Sequence, residues 1–309
     1  MKSARRRAFI ERKRKKGKFF GILVKVFTPV FLILAIFVFI RISTRYWNGH
    51  DKVSVAFREA NGDAAITVMD PKLDEVTTFT IPGDTQVEVA RNFGTFRIKN
   101  VWQLGIDQKA GGSLLPETIR NNFLFPVFLW SESSAESLGT GNMGGILHFI
   151  FLPKTTNIPF GDRLSMGVFA FRIQDLGRSE IDLGQSQFVT KETLNDGQIG
   201  YVINGPISQR LTVYFSDNDI ADENLRVNIV DATGAPGVSD NVGEILEVMG
   251  GKVVSVDKKL SAENSDCSVT GNNSEIIRKV SDLFSCRVVK GQTDFDLEIQ
   301  LGQKFAARF

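Results

Sequence analysis

At 309 residues the chain exceeds one typical domain of roughly 100–200 residues, so two folded units are expected. Its formal net charge of +2 averages two unlike parts: ten Lys or Arg against one acid in residues 1–18, and 24 basic against 34 acidic residues from Tyr46 onward. A body with a net charge of −10 argues against direct nucleic-acid binding, which needs Lys and Arg facing phosphates.

The basic tip, residues 1–18, leads into "FFGILVKVFTPVFLILAIFVFI", Phe19 to Ile40, which is apolar apart from Lys25. Its 22 residues meet the roughly 20 needed to cross a bilayer core. Lys25 can snorkel back to the headgroups, and Pro29 is tolerated in a membrane helix. Positive charge ahead of the segment places the N-terminus in the cytoplasm and the bulk of the chain outside it. The exit, "RISTRYW", offers no small-x-small cleavage site, which favours an uncleaved transmembrane helix over 19–42 rather than a signal peptide. Localisation at the cell membrane follows, with Tyr46 and Trp47 fitting the outer interface.

Beyond the span, "AAITVMDPKLDEVTTFTIPGDTQVEV" carries two alternating strands joined at "DPKLD", where Asp70-Pro71 favours a turn. "SLLPETIRNN", 113 to 122, reads as a short helix with Ser113 as its N-cap and Pro116 in its first turn. "FLFPVFLW" and "GGILHFIFLP" read as apolar strands, and residues 163 to 188 as a further β-rich stretch with a short helix. "GTGNMG", 139 to 144, fits G-x-G-x-x-G formally, but it should open a helix after a strand, and it is expected here to run into a strand. His50 and His148 are the only histidines and no Cys cluster joins them, so no metal site is expected.

The polar stretch 216–224 has no apolar period and reads as a linker. After it, "LRVNIVDATG" is a strand. "APGVSDNVGEILEVMGG" places Val238, Val242, Ile245, Leu246 and Met249 on one helical face, closed by Gly250-Gly251. "KVVSVD" and "CSVTG" are strands. "NSEIIRKVSDLF" aligns Ile276, Ile277, Val280 and Phe284, and "CRVV" and "DFDLEIQLG" complete a sheet. The fold class is therefore α/β: an N-terminal transmembrane helix, a central mixed α/β domain over 46–215, and a small βαβ-βαβ-β sandwich over 225–309. Cys267 and Cys286 can form a disulfide outside the cytoplasm or remain buried thiols.

The turn Asp231-Ala232-Thr233-Gly234-Ala235-Pro236-Gly237, between its strand and helix, resembles the C-terminal domain of LytR/CpsA/Psr envelope proteins. Asp231, Thr233, Gly234 and Gly237 carry that likeness. "ITVMDPKLDEVTTFTIPGDTQVEV" is similar to the same family's hairpin and Ile-Pro-Arg-Asp-Thr loop, and the segment from Phe96 to Trp130 to its next helix and strand. The resemblance implies a domain that, in active members, binds a polyprenyl-pyrophosphate-linked glycan and transfers it to peptidoglycan or a related acceptor. Arginines there grip the pyrophosphate, and acidic residues hold a divalent cation. Carried over position by position, Gly83 stands where the motif arginine belongs, while Asp84 and Thr85 are kept. Arg97 stands for a Lys, Lys99 for an Asn, and Asp63 is a loose match to the Asp of an Arg-x-Asp. The expected function is that of a non-catalytic, membrane-anchored envelope binding or scaffold protein, with cell-wall glycan, polyprenyl-linked lipid or envelope proteins as partners. The alternative is a glycopolymer phosphotransferase using Asp63, Asp84, Arg97 and Lys99 with Mg²⁺.

Overall fold

The computed structural model describes residues 45–205, 208–261 and 264–309. The basic tip and the expected span over 19–42 lie outside the described residues, among which no helix is long and apolar enough to cross a membrane.

In chain order the first unit comprises β1 (Val53–Arg58), β2 (Ala64–Asp70), β3 (Glu75–Ile81), β4 (Gln86–Val89), β5 (Gly94–Arg97), α1 (Ile98–Asp107), α2 (Leu114–Phe123) and β6 (Leu129–Ser131). There follow α3 (Glu136–Thr140), α4 (Met143–Phe151), α5 (Phe160–Arg172), β7 (Arg178–Asp182), β8 (Val189–Thr193), β9 (Ile199–Ile203) and α6 (Gln209–Phe215). The main sheet runs β6-β1-β2-β3-β7. At its centre the expected hairpin pairs Val68 with Thr77, and the Asp70 carboxylate accepts the N–H groups of Lys72 and Leu73 to hold the turn.

Every residue of β2 is buried, because helices cover both faces of the sheet. Strand alternation sends Ile66, Val68, Phe79 and Ile81 into one cluster with α1 and α2. It sends Ala65, Met69 and Val76 into another with α4 and α5. The apolar run expected as the strand "GGILHFIFLP" is therefore a helix. In α4, Ile146, Phe149 and Ile150 meet the core at i, i+3 and i+4, while Leu147 and Phe151 point away. The β-rich reading of 163–188 likewise gives way to α5, and only Arg178–Asp182 is a strand of the main sheet there. Of "FLFPVFLW" only Leu129 and Trp130 pair with β1, because Leu124 turns left-handed to close α2 and Pro126 has no N–H to offer a ladder. Ser113 is helical and does not cap α2; a 3₁₀ turn over Gly111–Ser113 precedes the helix, and its hydroxyl donates to the Ala110 carbonyl at 3.0 Å. Trp47 does not sit at an interface. It is 5 % exposed, donates its indole N–H to the Asp51 carbonyl at 2.7 Å and meets Phe169 edge-on.

The expected linker is structured. Residues 216–224 carry α7 (Asn218–Asp222), capped by the Asp217 carboxylate, and Ile220 is buried in the second unit's core. That unit comprises β10 (Arg226–Ala232), α8 (Val238–Val248), β11 (Lys252–Lys258), β12 (Cys267–Gly271), α9 (Ser274–Phe284), β13 (Arg287–Val288), β14 (Leu297–Gly302) and α10 (Gln303–Arg308). Its sheet runs β11-β10-β14-β12-β13, with β10 parallel to both neighbours and β12 antiparallel to β14. Val242, Ile245 and Leu246 of α8 and Ile276, Val280 and Phe284 of α9 are buried in its core. Cys267 and Cys286 are disulfide-bonded, with Cα atoms 4.9 Å apart.

Candidate functional site

β3 ends at Ile81, Pro82 denies the next ladder position a donor, and the Thr85 N–H closes the loop onto the Pro82 carbonyl at 2.9 Å. The β4–β5 hairpin then returns the chain so that Arg97 lies opposite Gln86, with α1 starting at Ile98. Short-range geometry thus brings Asp84, Arg97 and Lys99 together. Arg97 Nη1 and Lys99 Nζ both donate to Asp84 Oδ1, at 2.7 and 2.6 Å. The other arm of Arg97 reaches Asp196, in the β8–β9 connection, at 2.8 Å. The hydrogen bonds from Lys99 and then Arg97 hold the Asp84 carboxyl below its ordinary range. Arg97 is held further into its charged form by Asp84 and Asp196. Two cations at the start of a helix are disfavoured by its dipole, and the two carboxylates offset them.

Asp63 joins the group through the backbone. Its Oδ1 accepts the Gly83 N–H at 2.6 Å, Asn61 holds its other oxygen at 2.9 Å, and the Lys99 N–H donates to the Gly83 carbonyl at 3.0 Å. Gly83 is therefore enclosed. A Cβ there would lie 2.8 Å from the Gly62 carbonyl oxygen and 3.1 Å from Asp63 Oδ1. The adjoining cleft, about 450 Å³, is lined by Glu59, Asp63, Asp84, Glu180 and Asp182 with Asn61, Thr80 and Tyr201, and by no Lys or Arg. Burial, together with the negative charge of Asp63, Glu136 and Glu180, pushes the Glu59 carboxyl up.

The cleft thus gathers carboxylates, with no cation among its lining residues. Among the described residues no group of three or more His, Cys, Asp or Glu is arranged to hold a metal ion. Sequence reasoning missed Glu59, Glu180, Asp182 and Asp196. No motif marks them, and only the fold carries them to the loop.

Two other motifs have structural duties. "GTGNMG" opens a helix after all, since Asn142 caps α4 by accepting the Gly145 N–H at 2.9 Å. It follows α3 instead of a strand, however, so the nucleotide fingerprint still lacks its frame. In the Asp231 turn one carboxylate oxygen accepts the Thr233 N–H and hydroxyl, at 2.9 and 2.6 Å, and the other accepts the Ser239 hydroxyl at 2.8 Å. Gly234 and Gly237 take φ of +70° and +79°, which L side chains rarely adopt.

No family model matches the chain, and no curated protein matches it. Among solved structures, B. subtilis TagT is similar at 12 % identity over 52 % of this chain and 88 % of its own, with a TM-score of 0.36. A structure described as LytR-CPS2A-psr family protein YwtF (TagT) with bound octaprenyl pyrophosphate lipid is similar at 12 % identity, 52 % and 87 % coverage and a TM-score of 0.35. B. subtilis TagU follows at 12 % identity, 54 % and 97 % coverage and 0.33. At this level the likeness bears no functional argument.

Proposed function

We propose that this chain is a membrane-anchored cell-envelope protein of LytR/CpsA/Psr type that binds or scaffolds rather than transfers. The observation that carries the non-catalytic reading is Gly83: its N–H is taken by Asp63, and its Cβ position is closed by Gly62 and Asp63. The cations nearest to it, Arg97 and Lys99, are already paired with Asp84 and Asp196. A pyrophosphate would have to break those pairs and enter a cleft lined by five carboxylates. The hairpin, the Asp84-Thr85 remnant and the Asp231 turn support the envelope assignment by their sequence resemblance. The apolar segment 19–40 and the basic residues ahead of it support a single-pass, N-in anchor at the cell membrane. Cell-wall glycan and envelope proteins are the partner classes this reading admits, and a polyprenyl-pyrophosphate lipid belongs to the phosphotransferase alternative.

The test is a titration of the full chain, held in lipid nanodiscs, with a polyprenyl-pyrophosphate analogue, with and without Mg²⁺. No saturable binding is expected. Saturable, Mg²⁺-dependent binding that Asp84→Ala abolishes would replace this reading with the phosphotransferase.

A further inference from the structure

Helices α4 and α5 cover one face of the main sheet with Ile146, Phe149, Ile150, Met166 and Ala170. No described residue covers their outer face. Met143, Leu147 and Phe151, spaced four apart on α4, are 57, 51 and 58 % exposed, and Leu152 beyond them is 68 % exposed. On α5, Val168 and Phe171 are 39 and 55 % exposed. The two stripes flank the line where the helices meet, at Gly167 against Ile146 and Ile150, and the rings of Phe151 and Phe160 join them 5.9 Å apart. A continuous apolar face of this kind marks an interaction site.

Charge distinguishes this face from the rest of the body. From Met143 to Arg172 the only acid is Asp162, which is fully buried, while Lys154 and Arg172 are exposed cations and Arg163 is half-buried against the Phe149 carbonyl. The body as a whole is strongly acidic, so a stretch with apolar and basic side chains and no exposed acid is locally suited to an anionic bilayer.

The chain's entry point lies on the same helix. The Asp162 carboxylate, in the first turn of α5, accepts the N–H groups of Arg45, Tyr46 and Trp47 at 3.0–3.3 Å. The apolar segment ends at Ile40, five residues before Arg45. Five residues span at most about 18 Å, less than the roughly 20 Å length of α5.

We propose that the outer face of α4 and α5, through Leu147, Phe151, Leu152, Val168 and Phe171, lies in the headgroup region of the bilayer that residues 19–40 enter. This rests on the membrane-anchor reading above. The folded body is then held at two points, the span and a basic apolar face, and its orientation to the bilayer is fixed.

The test uses the full chain reconstituted in vesicles containing anionic lipid. Leu147→Cys, Phe171→Cys and, as a control in the second unit, Leu260→Cys are each labelled with an environment-sensitive fluorophore. The native cysteines are paired and do not react. Quenching by nitroxides carried shallowly on lipid is expected to be several-fold stronger at 147 and 171 than at 260. Equal quenching at all three sites in a chain that resists alkaline carbonate extraction overturns the inference and leaves the anchor standing. A dry label at 147 and 171 that lipid-borne nitroxide does not quench assigns the face to a second protein surface and also overturns it. Release of the chain by carbonate removes the anchor reading, and this inference with it.

Discussion

At Gly83 the surroundings decide whether an arginine could return to the loop. The clash partner of a Cβ is the backbone oxygen of Gly62, 2.8 Å away, in a turn pinned by bonds from Glu59 and Gly62 N–H groups to backbone carbonyls. A flexible side chain could yield, but a backbone oxygen in such a turn cannot without moving Asp63. Gly83→Arg is therefore expected to lower stability by about 1–3 kcal/mol, as overpacking does, and to confer no pyrophosphate-lipid binding. Thermal unfolding and the nanodisc titration read the two effects. An unchanged melting temperature together with new Mg²⁺-dependent binding would show that only the guanidinium had been missing. The cluster around Gly83 was half legible in the sequence. Asp84, Arg97 and Lys99 flank one short hairpin, so local pairing had to bring them together. Asp196 arrives from 99 residues beyond Arg97, and no local pattern could announce that it neutralises the arginine.

Among the elements, α4 and α5 were least legible and α8 and α9 most. The amphipathic helices of the second unit alternate buried and solvated faces with a 3.6 period and carry clear ends: Gly237 before α8, Asn273 capping α9. By contrast "GGILHFIFLP" is apolar on both its inner and its outer face, so the helical period vanishes and the run resembles a buried strand. Beside the apolar packing, one residue of β7 ties α3 and α5 to the sheet. Arg178 donates to the carbonyls of Leu138 and Gly139 in α3, and to those of Ala170 and Ile173 at the end of α5. It thereby satisfies carbonyls that have no partner within their own helices. Burial pushes its guanidinium pKa down, but the ordinary value is so high that the group stays charged at neutral pH. Arg178→Met should cost about 2–3 kcal/mol by urea unfolding, since it strands several carbonyls at once. Arg172→Met, at the exposed last position of α5, should stay within about 0.5 kcal/mol. Equal effects from the two changes would deny Arg178 this tying role.

Across the whole molecule, Lys279 of α9 joins parts of the chain that are far apart in sequence. Its ammonium lies 2.7 Å from Asp51, 2.8 Å from Asp217 and 3.2 Å from Asp219, with Asp51 and Asp217 buried. It thus links the entry segment before β1, the stretch before β10 and the second unit. Burial alone would push the Asp51 carboxyl up, but the hydrogen bond and charge of Lys279 outweigh it and hold the carboxyl below its ordinary value. For Lys279, burial acts downward and is outweighed by Asp217 and Asp51, so its pKa is raised. A depressed carboxyl contributes stability above its unfolded pKa, near 4, and that contribution is lost as the pH falls through the folded value. Lys279→Met leaves two buried carboxylates without a cation and should cost about 3–5 kcal/mol at pH 7. In that variant Asp51 loses the cation that held its carboxyl down and burial pushes it up instead, so acid relieves the variant before it weakens the parent chain. The deficit should therefore shrink between pH 7 and pH 4, as read by urea unfolding at both values. A deficit that stays constant over this range would mean that Lys279 contributes through the packing of its stem, with the three carboxylates indifferent to its charge.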